Sequence, residues 1–229
     1  MRSANASPPT LGRGMELVDH WPLFGLRVTT PRLELRYPDD ELAQQLAELT
    51  VTGIHDPATM PFTIPWSDAP ADVLPRNSLQ FLWRNRASWT AEEWHCPLVV
   101  MVDGETVGVQ GLEAKHFGLT RTFESGSWIA LAQQGRGIGK EMRAAILHLG
   151  FAGLGAQRAV TSAWHDNQRS LGVTRALGYE PNGTEVLVRR DVADVMLRFQ
   201  MDRATWEARR REDITIHGLE PCLPLFGIA

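Results

Sequence analysis

Residues 133–142 read QQGRGIGKEM. Three glycines alternate with larger residues, and a run with helical spacing follows. A helix N-terminus offers unpaired N–H groups and about half a positive charge, and glycines ahead of it let the backbone approach a ligand. The stretch therefore reads as a cradle for an anion. Two nucleotide cradles fail on spacing. A P-loop ends in Gly-Lys-Ser/Thr and has a glycine five positions earlier; here Gly139-Lys140 is followed by Glu141, and Gln134 stands where that glycine belongs. A dinucleotide fingerprint closes with a small residue; counted from Gly135 that place holds Lys140, and from Gly137 it holds Met142.

Outward from the cradle, Ile138, Met142, Ala145, Ile146 and Leu149 recur at the helical period, which predicts a helix over about 137–152. The segment before it, RTFESGSWIAL (121–131), reads as a strand. Two apolar runs precede that strand and meet at Asp103-Gly104, a strong hairpin signal. RLELR (32–36) alternates as a strand with Leu33 and Leu35 inward. Asp39 is a plausible cap for a helix carrying Leu42, Leu46 and Leu49, stopped by Gly53. Residues 54–70 are Pro-rich and aromatic, the character of a long loop walling a substrate site. A second helix is expected over about 72–89. After the cradle helix come a strand at 158–164, a helix capped by Asp166 or Asn167 and ended by Gly178, and two strands within 184–202. The tail begins as a charged helix and ends apolar. This order gives a mixed α/β sheet.

The chain has 229 residues, enough for one domain with an appendage. The lead over 1–20 is expected to be flexible, with one domain over 21–229 and a C-terminal extension from about 206. A net charge of −4 supplies no basic footprint for nucleic acid. No apolar run approaches the length of a membrane span, and the N-terminus lacks the apolar core of a signal peptide. Cys96 and Cys222 stand far apart without metal-ligand spacing. Free thiols in a reducing cytoplasm and no metal are the expectation.

The element order, with Q-x-x-G-x-G formed by Gln134, Gly137 and Gly139, resembles the GNAT superfamily of acyl-CoA N-acyltransferases. NQRSLGVTRALGY (167–179) is similar to that superfamily's Asn-x-x-Ser helix ending in Leu-Gly-Phe/Tyr. TTPRLELR (29–36) resembles the start of the subgroup that acetylates ribosomal-protein N-termini. HWPLFGLRVTTPRL, HDPATMPFTIPW and SGSW look closest to a branch with bacterial succinyl-CoA-using members. The similarity runs over about residues 28–205.

The resemblance implies an α+β fold: a mostly antiparallel sheet of about six to seven strands flanked by about four helices. It implies acetyl-CoA or succinyl-CoA as donor and a primary amine as acceptor, on a small molecule, a peptide N-terminus or a lysine. The backbone of Gly135, Arg136, Gly137, Ile138, Gly139 and Lys140 would cradle the coenzyme A pyrophosphate, with Arg136 and Lys140 adding charge. Ile129, Ala130 and Leu131, after Trp128, would offer N–H groups to the thioester and pantetheine. Glu124 is the first candidate base and His165 the second. Ser170 would donate to the leaving thiolate or bond pantetheine. Asn167 would bond pantetheine amides, cap its helix, or do both, and Arg175 would reach a CoA phosphate or stay solvated. Tyr179 is expected to pack behind its helix. For a succinyl carboxylate the candidate cations are Lys115, His116, Arg121 and His165. A homodimer is expected by analogy alone. A catalytically silent CoA-binding sensor or scaffold is the alternative from another class.

Overall fold

Residues 15–228 are described by a computed structural model. A short helix α1 (Leu17–His20) leads to strands β1 (Arg27–Thr29) and β2 (Leu33–Arg36) and helices α2 (Asp40–Leu49) and α3 (Leu74–Ala87). The meander follows as β3 (Glu93–Val102), β4 (Glu105–Lys115), the turn of helix α4 (Phe117–Thr120) and β5 (Thr122–Ile129). Then come α5 (Ile138–His148), β6 (Arg158–Trp164), α6 (Gln168–Leu177), β7 (Glu180–Arg189), β8 (Val192–Asp202), α7 (Arg203–Glu207) and β9 (Thr215–His217). Of the expected lead, residues 1–14 lie outside the described residues.

All nine strands join one sheet in the order β7-β8-β6-β5-β4-β3-β2-β1-β9. Every pairing is antiparallel except β5 with β6. Nine strands exceed the six to seven expected. The additions, β1 and β9, have three residues each and pair with one another from Arg27↔His217 to Thr29↔Thr215. Three residues are too few to show a period of two, so only the tail's return to the sheet edge reveals them. Among the described residues α2, α3, α5 and α6 are the helices of ten or more residues, the four expected.

Local chemistry explains the element ends. Asp39 accepts a hydrogen bond from the Leu42 N–H at 2.9 Å and caps α2. Asp103 and Gly104 both take positive φ, 50° and 84°, and turn β3 into β4. Alternation splits the apolar residues between two layers. Leu98 and Val100 face the main core with Ala145, Ile146 and Phe151. Val99 faces the other side with Leu42, Leu46 and Leu82. The apolar tail packs into the body: Cys222 and Phe226 are fully buried, and Trp206 stacks on Phe151. No helix among the described residues is long and apolar enough to cross a membrane.

Candidate active site

The parallel pair is where the sheet opens. β5 and β6 meet at only three positions, Thr122↔Arg158, Phe123↔Ala159 and Glu124↔Val160. Beyond Glu124 each strand follows its own antiparallel neighbour: β5 stays on β4 as far as Gly108↔Ile129, and β6 stays on β8 as far as Trp164↔Met196. A wedge-shaped gap results, closed at Glu124. The Ala130 N–H goes to the Val107 carbonyl at 2.9 Å. Strict alternation then turns the N–H groups of Ser127 and Ile129 to the other edge, toward the gap. Of the three backbone donors expected there, only Ile129 has one to offer. Ala130 is spent on β4, and the Leu131 N–H goes to the Gly53 carbonyl. The sequence shows no ladder register, so it could not separate them.

At the open end stands the cradle. Gly135 and Gly137 take φ of 79° and 81°, a left-handed region costly for other residues. Among the described residues no acceptor is paired with the N–H groups of residues 135 to 139. Successive free N–H groups at such a turn form an anion-binding concavity. Arg136 and Lys140 are exposed beside it. Glu141, in the first turn of α5, is buried and neutralised by Arg32 at 2.5 Å, with the Thr30 hydroxyl donating at 2.6 Å. The Gln134 side chain ties the site together: its amide nitrogen donates to the carbonyls of Ile54 (2.8 Å) and Ile129 (2.9 Å), and its oxygen accepts from Arg169. That amide is occupied, so Gln134 holds the cradle in place rather than offering a donor.

Asn167 accepts from the Ser170 N–H at 3.1 Å, which makes it the cap of α6. Ser170 is half-buried, and Arg175 is exposed on the same helix. His165 lies past the open end of the gap, half-exposed, with Nε2 3.0 Å from Asp194 Oδ1. Tyr179 is buried, its hydroxyl 3.4 Å from that of Ser125.

Glu124 sits at the closed end in a row the sequence did not reveal. Glu113 on β4 is directly opposite Glu124, and His95 on β3 is directly opposite Glu113. Phe123 points into the core against Phe151, so this row lies on the opposite face, where Phe81 of α3 meets the His95 ring edge-on. Burial lifts the Glu124 carboxyl above its usual range, and the Glu113 charge lifts it further. Burial likewise lifts Glu113, and it pushes His95 down to about 4, so that ring is neutral near pH 7.

An aromatic wall borders this face at the gap. Phe62, Trp66 and Trp128 follow one another at 5.0 and 6.0 Å between ring centroids. The loop carrying Phe62 and Trp66 is strapped to the β7–β8 turn. Arg189 donates to the Met60 carbonyl at 2.8 Å, pairs with Asp166 and Asp194 at 2.9 Å, and lies over the Trp164 ring. Arg190 clamps Asp68 with two hydrogen bonds and donates to the Pro57 carbonyl. Neither Arg189 nor Arg190 stood out in the sequence, because the loop groups they hold, at Met60, Pro57 and Asp68, are more than a hundred residues away.

On the core side of the gap, Arg143 of α5 is buried among neutral groups: Gln110, Ser127 and Thr161. Of the four cations expected for a succinyl carboxylate, His165 lies past the open end and the other three sit elsewhere. Lys115 pairs with Glu93, and Arg121 lies over Phe117; with His116 they flank α4 below the closed end.

A family model described as an acetyltransferase (GNAT) domain matches residues 32–180. This chain belongs to the GNAT acetyltransferase family. Solved GNAT-like structures agree on the fold. RimL, a ribosomal alpha-N-protein acetyltransferase in complex with coenzyme A, superposes with a TM-score of 0.59 at 18% identity, covering 76% of this chain and 95% of that one. Mycobacterium smegmatis RimJ in complex with CoA-disulfide gives 0.59 at 18%, covering 81% and 92%. A GNAT acetyltransferase from Bacillus anthracis gives 0.61 at 17%, covering 78% and 99%.

Proposed function

We propose that this protein is a CoA-dependent N-acyltransferase that moves an acetyl or succinyl group from acyl-CoA to a primary amine in a ternary complex. The run of five N–H groups at 135 to 139 without a partner among the described residues, at the mouth of a gap between parallel strands, carries the reading. It fits a pyrophosphate at the turn and a pantetheine arm along the gap, with Arg136 and Lys140 flanking the phosphates. The name of one structural neighbour, a ribosomal alpha-N-protein acetyltransferase, favours a peptide or protein amine as the acceptor. An acyl-CoA donor favours a cytoplasmic location.

The acceptor approaches on the face carrying Glu113 and Glu124, where two carboxylates favour an ammonium. Glu124 takes a proton from it; a glutamate with a raised pKa is a stronger base than an exposed one. The neutral amine attacks the thioester carbon, N–C forms and C–S breaks. The Ile129 and Ser127 N–H groups face the developing oxyanion, and the Ser170 hydroxyl gives a proton to the departing thiolate and regains, through solvent, the one that the newly acylated nitrogen sheds.

The test is a thermal-shift titration with CoA, acetyl-CoA, succinyl-CoA and ATP, on the wild type and on Gly137→Trp. A ligand that binds only the folded state raises the melting temperature, by about 2.7 kcal/mol of stability at a hundred times Kd. CoA species raise it in the wild type, ATP does not, and Gly137→Trp loses the response. No response to any CoA species rejects the reading. Binding without transfer to any amine in a broad panel moves the protein to the silent CoA-binding class.

A further inference from the structure

Arg143 lies in the middle of α5 and is 4% exposed. A guanidinium cannot shed its charge inside a protein, and burying it without a counter-ion is costly. Glu141, also buried on this helix, has Arg32 as its counter-ion. Arg143 has neutral partners only: Nε donates to Gln110 Oε1 at 3.3 Å, Nη1 to Thr161 Oγ1 at 3.1 Å and Nη2 to Ser127 Oγ at 3.2 Å. Tyr179 beside it stays protonated, because burial raises its pKa. No carboxylate pairs with Arg143 among the described residues.

The position of this cation matters as much as its isolation. Ser127 is on β5 and Thr161 on β6, so the guanidinium spans the gap just beyond the last ladder pair, Glu124↔Val160. The Thr161 hydroxyl donates to the Ser125 carbonyl at 2.9 Å and crosses the same opening. The floor of the gap is therefore made of hydroxyls, an amide and one uncompensated cation. A methyl group set there would leave the charge unanswered and the polar groups dry. A carboxylate accepts from a guanidinium fork and cancels its charge. Ser127 Oγ accepts from Arg143, which leaves its own O–H to donate.

We infer that Arg143, with Ser127, receives a carboxylate at the far end of the donor's acyl chain, so that the gap is built for a dicarboxylic acyl group such as succinyl. The inference rests on the CoA-dependent reading above, and the experiment keeps the two apart. Calorimetry measures the binding of CoA, butyryl-CoA and succinyl-CoA to the wild type and to Arg143→Met. Butyryl matches succinyl in chain length without the charge. The wild type binds succinyl-CoA about tenfold or more tighter than butyryl-CoA, as charged hydrogen bonds of this kind provide. Arg143→Met loses that preference while binding CoA itself within about twofold of wild type. Equal affinities in the wild type overturn the inference, as does a preference that survives in Arg143→Met. If the wild type binds no CoA species, the acyltransferase reading falls and takes this inference with it. Should Arg143→Met not fold, Ser127→Ala decides: the succinyl preference drops about threefold or more, and no drop overturns the assignment.

Discussion

β5 separates two regions with opposite electrostatics. On its core side Arg143 holds a buried positive charge among neutral oxygens. On its other side Glu113 and Glu124 face each other with a neutral histidine next in the row. The two charge types do not neutralise each other; a sheet stands between them. Contrast Glu141 and Arg32 a few residues away, joined at 2.5 Å. A closed pair of that kind holds α5 against the loop before β2. In the proposed reading, the open charges flanking β5 are left for ligands from outside the chain, a cation on one face and an anion within the gap.

The comparison breaks hardest at Glu124. Glu124→Gln keeps the shape and removes the base, so kcat/KM for amine acylation near pH 7 falls by about a hundredfold or more, with CoA binding retained. Steady-state kinetics beside a CoA thermal shift measure both; an active amide variant would reassign the base and turn attention to His165.

Glu113→Gln sharpens the picture. The Glu113 charge helps raise the Glu124 pKa, so removing it lowers that pKa and moves the acid limb of the kcat/KM profile to lower pH. Arg198 and the Ser162 hydroxyl already pull Glu124 downward, while Glu185 pushes with Glu113. A limb that stays in place would leave Glu113 outside the proton transfer.

The same variant reads out stability. A carboxyl whose pKa is raised by folding supports the native state below its unfolded pKa, and that support is lost as pH rises through the folded value. Ionised Glu113 and Glu124 therefore strain the fold near neutrality. Glu113→Gln melts about one to three degrees higher than wild type at pH 7, and the gain disappears near pH 4. An effect of similar size belongs to the cradle's companion helix: Asn167→Ala removes the cap of α6 and costs about 1 kcal/mol in urea denaturation.

Much of this arrangement is written in local sequence. The glycines at 135 and 137, the Asp103-Gly104 turn, the Asp39 cap and the Leu42–Leu46 stripe each act within a few residues, so spacing alone exposes them; it narrows the α6 cap to Asp166 or Asn167, and the structure selects Asn167. Glu124 came from resemblance, and its geometry came only from register: nothing in ETVGVQGLEAK says that Glu113 will stand opposite it. Arg143 was hidden for a different reason. Residue type argues that an arginine on a helix faces water, and only the packed structure shows it beneath the sheet. Nor could Ala130 be told from Ile129 as a backbone donor, since ladder parity is a property of two strands.

The strap of Arg189 and Arg190 has a bearing on how such a site diversifies. The loop bearing Phe62 and Trp66 and the turn bearing Arg189 and Arg190 are distant in the chain yet share one set of charged bonds. A change to either alone strands a guanidinium or a carboxylate, so inherited variation in the two segments has to travel together. For an engineer recutting acceptor range, 54–68 and 189–194 form a single cassette, to be exchanged as one piece.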